Sequence, residues 1–241
     1  MKKMALFSIL VAGSAGLTFA GPTTYSGSLT TADDSLCVNT GGAWANPMIP
    51  ATLTWEVTDI GSGQWRYEYR LRVFGAGISR MIVEASDSDP GPQFPPGNVP
   101  MTSNPSGWTG LAGPNGVLPD NPNMPQDMYG VRFSPPIDDA SQLPTDLTVS
   151  FESDRPPVWG DFYARGWGFT CSVTNTFQFE LGNFVYNAGF SADDPTDPPS
   201  DGSIWYHVLV PDSVPIPSPG ALLLGGLGAA LVGWFRRRGS V

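Results

Sequence analysis

Residues 51–73, ATLTWEVTDIGSGQWRYEYRLRV, constrain the architecture more than any other stretch. In the first half Leu53, Trp55 and Val57 alternate with Thr52, Thr54, Glu56 and Thr58. In the second half Trp65, Tyr67, Tyr69, Leu71 and Val73 alternate with Arg66, Glu68, Arg70 and Arg72. Successive side chains of a strand point to opposite faces, so each half has one apolar and one wet face. The Gly-Ser-Gly between them is a turn signal, and together they predict an antiparallel hairpin with one buried face. The aromatic stripe belongs to the core. On the wet face arginine and glutamate can pair across strands, each pair contributing little.

Further short strands are expected at 80–85, 128–133, 147–152, 170–179, 184–186 and 204–210. Loops rich in Pro, Gly, Asn and Asp separate them, above all residues 87–125. No segment shows a sustained 3.6-residue apolar period. The 25 prolines suit turns and sheet edges better than helices. Many short strands with such punctuation predict an all-β chain, an antiparallel β-sandwich or a jelly-roll-like fold. Residues 151–169 and the acidic 191–203 read as loops.

The two ends differ from this body. Lys2 and Lys3, the apolar 4–11 and the small residues up to Thr18 and Ala20 predict a signal peptide over 1–20, cleaved before Gly21. Residues 21–213 form the ectodomain. The tail, 214–241, has three parts. Pro215, Pro217 and Pro219, within 214–219, keep a helix from extending backwards. Gly220 begins an uncharged stretch, 220–235, that as a helix spans roughly 24 Å against a bilayer core of about 30 Å. Arg236, Arg237 and Arg238 should stay cytoplasmic, which puts the preceding domain outside the cell. Between the two ends, seven arginines face 22 acids, a formal charge of −15. Such a surface repels nucleic acid and anionic lipid, and suits cations or an acidic matrix bridged by metal ions.

The order of proline motif, short Gly/Leu/Ala-rich helix and arginine cluster resembles a PEP-CTERM sorting signal. In place of Pro-Glu-Pro this chain has Pro215-Ile216-Pro217, so the glutamate is missing. The resemblance implies export, transient anchorage in the membrane, and an exosortase-type processing enzyme as partner. It also implies delivery to the cell surface or extracellular matrix. A second resemblance rests on QWRYEYRLRVFGAGISRMIVEAS, YGVRFS, VSFESDRPPVWGDFYARG and YNAGF. It is to a recurring ectodomain of PEP-CTERM proteins, over roughly 24–212, and implies no activity.

Cys37 and Cys171 are the only cysteines, and an oxidising compartment favours a disulfide between them. It would close a loop of roughly 135 residues, for about 4–5 kcal/mol as an upper estimate. His207, the one histidine, lies in the alternating run IWYHVLV and reads as a strand residue. A single histidine excludes a HExxH zinc site, and no GxSxG elbow or phosphate-cradling loop is present. The chain is therefore read as non-catalytic and without a resident cofactor.

Two binding chemistries stay open. Glu152, Asp154 and Asp161, with carbonyls near Gly160, offer hard oxygen ligands to Ca²⁺. The competing assignment pairs Arg155 with a neighbouring carboxylate while Trp159 and Phe162 plug one end of the sandwich. Asp193, Asp194, Asp197 and Asp201 form a second acidic set, without EF-hand order, and read as a solvated loop. Trp108, Trp159 and Trp167 lie in Gly-rich loops, where coplanar exposed rings would stack on sugars and buried ones would cap the core. The leading expectation is a structural or adhesive surface component associated with exopolysaccharide. A carbohydrate- or calcium-binding module comes second, and a polysaccharide-active hydrolase third.

Overall fold

The predicted hairpin lies at the middle of the first of two sheets. That sheet runs β1 (Thr24–Thr30), β3 (Thr52–Gly61), β4 (Gln64–Arg72), β10 (Asp146–Ser153) and β7 (Met101–Asn104) across its width. A second sheet runs β2 (Leu36–Val38), β13 (Phe184–Asn187), β12 (Phe162–Gly166), β5 (Ile78–Glu84), β9 (Met128–Ser134), β8 (Thr109–Asn115) and β6 (Gly97–Val99). A small third pair, β11 (Pro157–Gly160) with β14 (Val208–Pro211), completes the described strands. Each of these pairings is antiparallel. The computed structural model describes residues 23–39, 42–85, 94–117, 120–136, 142–166 and 182–212. Among them no helix is long and apolar enough to cross a membrane. The expected signal peptide, the 170–179 strand and the sorting tail lie outside the described residues.

The two large sheets pack face to face, as in a β-sandwich. Trp55, Tyr67, Tyr69, Leu71 and Phe151 of the first sheet share one buried cluster with Met81, Val83, Phe133, Phe162 and Val185 of the second. Phe151 bridges the layers, with ring centroids 5.4 Å from Tyr67, 6.3 Å from Tyr69 and 5.9 Å from Phe133. Burying each such ring contributes roughly 1.5–3 kcal/mol. The tyrosine hydroxyls also find partners. Tyr67 Oη donates to the Arg155 carbonyl and Tyr69 Oη to the Leu209 carbonyl, each at 2.8 Å. These two bonds tie the central hairpin to the segment leading into β11 and to β14.

The sheets differ on their outer faces. The first is wet there, as alternation requires, with Arg66, Glu68, Arg70 and Arg72 exposed. The second is covered: Ile82 and Tyr163 form a smaller cluster with Met124, Met128 and Phe190. Period-2 alternation is accordingly weak in its strands.

Three expectations are corrected here. Residues 87–125, read as loop, contain β6, β7 and β8, where Gly and Pro within and between the strands mask the pattern. Residues 151–169, also read as loop, contain β11 and β12. The last strand is Val208–Pro211 alone, because 204–207 is a turn in which Trp205 and Tyr206 adopt positive φ of 47° and 66°. Left-handed backbone at two consecutive non-glycine residues costs energy and breaks alternation. Cys37, in addition, is a free thiol, set opposite Tyr186 in the β2–β13 register and hydrogen-bonded to it. Its expected partner Cys171 lies outside the described residues.

Candidate functional site

Asp161 is the single residue between β11 and β12, where the chain crosses from the small pair to the second sheet. Its backbone is pinned from both sides. The Asp161 N–H donates to Glu84 Oε2 at 2.8 Å, and its carbonyl accepts from the Glu84 N–H at 3.0 Å. The preceding Gly160 makes this approach possible, since a Cβ there would lie 2.9 Å from Glu84 Oε2 and 2.5 Å from Val210 Cγ2.

The Asp161 side chain turns inward and is only 6% exposed. Asn187, fully buried at the end of β13, holds it. The Phe162 N–H donates to Asn187 Oδ1 at 2.8 Å, and Asn187 Nδ2 donates to Asp161 Oδ1 at 2.8 Å. The first bond fixes which end of the amide faces the carboxylate, because only the oxygen can accept from Phe162. Burial pushes the Asp161 carboxyl up to about 7, against a smaller pull downward from the Asn187 hydrogen bond.

After β13 the chain folds tightly, with the Phe190 N–H donating to Asn187 O at 3.0 Å and the Ala192 N–H to Gly189 O at 2.7 Å. This delivers Asp194 to the same place, its side chain 24% exposed. Gly189 is required at the crossing: a Cβ there would stand 2.5 Å from Trp205 O and 2.7 Å from His207 Cε1. His207 then enters from the 203–207 turn. Its N–H donates to Ile204 O at 2.9 Å, and Ser203 Oγ donates to the His207 carbonyl at 2.7 Å.

The three side chains converge. His207 Nε2 lies 3.8 Å from Asp161 Oδ1 and 3.4 Å from Asp194 Oδ1, and the imidazole has no exposed area. Its other nitrogen, Nδ1, lies 3.3 Å from the Ile204 carbonyl. Desolvation lowers the His207 pKa, while backbone hydrogen bonds to Ile204 and Trp205 oppose the shift. The donor atoms of the three residues all lie within 4.8 Å of one another, the one such cluster among the described residues.

The residues singled out by sequence separate. Glu152 points from the outer face of β10 and pairs with Arg66 at 3.0 Å. Asp154 is exposed, 3.7 Å from Arg155 Nε, and the buried Arg155 guanidinium lies 5.8 Å from the Phe94 ring centroid. Glu152, Asp154 and Asp161 therefore do not make the expected calcium triad, because Glu152 faces outward on β10 while Asp161, at the β11–β12 junction, turns inward. Trp108 and Trp159 are buried in the core cluster and offer no stacking face; Trp167 lies outside the described residues. Of the second acidic set, Asp193 and Asp197 are exposed, while Asp201 Oδ1 accepts from the Ser26 N–H at 2.9 Å. Sequence reasoning placed Asp194 in a solvated loop and His207 in a strand. The only available signal was that the sole histidine needs a partner when buried. Comparison with family models, with curated proteins and with solved structures found no match.

Proposed function

We propose that this chain is an exported, non-catalytic β-sandwich that its tail sorts to the cell surface or extracellular matrix. There it is a structural or adhesive component in contact with exopolysaccharide. The observation that carries the reading is the three-part order of residues 214–241, with the proline motif, the uncharged stretch and Arg236–Arg238 in sequence. Two features of the fold support it. The sole imidazole has no exposed area, so it does not reach a substrate as a catalytic base. The wet face of the first sheet and the acidic loops suit a crowded anionic matrix in which the protein must stay soluble. Mass spectrometry of cell and medium fractions tests the proposal. A mature extracellular chain beginning at Gly21 and lacking Arg236–Arg238 is expected, whereas the intact chain in the cytosol would refute it.

A second reading, glycan binding, is favoured by one observation. Trp205 and Tyr206, adjacent on the 203–207 turn, are 68% and 49% exposed. They offer the apolar ring faces that the buried Trp108 and Trp159 do not. On that reading the protein is retained on a polysaccharide affinity gel and Trp205→Ala releases it; equal retention of both removes the reading.

A further inference from the structure

We infer that Asp161, Asp194 and His207 bind one first-row divalent metal ion of the zinc type, which clamps the 191–203 loop to the β11–β12 junction and the turn before β14. The acids alone would not justify this, since clustered carboxylates are common on an acidic protein. The histidine supplies the independent observation. Its Nε2 is sealed from solvent, has no hydrogen-bond partner, and faces both carboxylates.

The tautomer follows from the other nitrogen. A carbonyl only accepts, so the contact of Nδ1 with Ile204 O places the ring proton on Nδ1. In the neutral ring Nε2 then carries a lone pair, turned toward two carboxylate oxygens. Three electron-rich atoms converge where water does not reach, an arrangement that a cation relieves. The backbone carbonyl behind Nδ1 and the Asn187 amide behind Asp161 are also the outer partners that orient metal ligands.

Spacing and donor type narrow the ion. Bonds of about 2.0–2.2 Å in a tetrahedral shell set donor atoms about 3.4 Å apart. The distances from Nε2 to the two carboxylates, 3.4 and 3.8 Å, are near that spacing, and the three donor atoms all lie within 4.8 Å of one another. Calcium wants roughly six to eight oxygens, so an imidazole among three donors selects against it. The three ligands come from the β11–β12 junction, the loop after β13 and the turn before β14. One ion therefore ties the loop after β13 to two segments that the β11–β14 pairing already holds side by side.

The test uses the full chain purified in detergent, stripped with EDTA and titrated with Zn²⁺, with bound metal counted after dialysis and the melting temperature followed. One zinc per chain and a raised melting temperature are expected, with millimolar Ca²⁺ failing to displace it. Because His207→Ala could fail to fold, the informative variant is Asp194→Asn, on the loop residue whose side chain still reaches the surface. It should melt with the metal-free wild type yet bind zinc about 10- to 100-fold more weakly. Asp193→Asn, its exposed neighbour, should bind as wild type does. Cobalt(II) should give the strong visible bands of a four-coordinate nitrogen–oxygen site in wild type and lose them in Asp194→Asn. Failure to retain zinc, or equal weakening by the Asp193 and Asp194 variants, overturns the inference.

Discussion

The wet face of the first sheet and the buried Asp161 cluster both bring acids to basic or polar partners, and they do so by opposite means. On the sheet, Arg70 meets Asp146 through two bonds of 2.8 and 2.7 Å, and Arg66 meets Glu152 at 3.0 Å. Both acids come from β10, so the central hairpin supplies the cations and a strand far along the chain supplies the anions. Within the hairpin itself Glu56 stands directly opposite Glu68. These side chains are about half exposed, and water stabilises them whether or not they pair. Around Asp161 water is excluded, and an unmet donor or acceptor incurs its full desolvation cost. The polar contacts that matter most around Asp161 are therefore internal and join strand ends to the turns beside them.

That contrast orders the expected effects. Asn187→Ala should be the most damaging, because it orphans the Phe162 N–H and strips Asp161 of its donor. A loss of about 2–4 kcal/mol is expected, roughly a 5–15 °C fall in thermal midpoint. A midpoint unchanged by calorimetry would erase the distinction between the two regions. Gly189→Ala comes next: its Cβ would run into Trp205 O and the His207 ring, forcing the two turns apart for about 1–3 kcal/mol. The same measurement checks it, and a neutral result would mean the crossing is looser than the contacts indicate.

Smallest is Asp146→Asn. The hydrogen bond from Arg70 holds the Asp146 carboxyl below its usual range, so the unfolded chain binds the proton more readily than the folded one. Its stabilisation is present above the unfolded pKa, about 3.9, and is lost as pH falls through the folded value. The variant should melt about 2 °C or less below wild type at neutral pH. That gap should close in acid and in about 1 M salt. Denaturation curves against pH and salt test this, and a gap that persists under both conditions would show the pair to be shielded from solvent.

Legibility followed periodicity. Leu53 to Val73 could be read strand by strand because one face is wet and the other dry. Ile82 and Tyr163 could not, since the second sheet is covered on both faces and polar markers vanish. Residues 97–115 hid three strands behind Gly and Pro, and 204–207 mimicked a strand until two left-handed residues broke it. The candidate site was the least legible. Asp161 attracted notice for its acidity, but in company with Glu152 and Asp154, which point elsewhere.

By itself the sequence determined the class of the fold, the position of the central hairpin and the acidic excess of the body. These depend on alternation and composition, which are local or additive properties. The tertiary structure decided which carboxylate meets the histidine, which tryptophans are sealed and which thiol stands free. Those outcomes depend on segments distant in the chain arriving within hydrogen-bond range, and no spacing along the chain encodes that meeting.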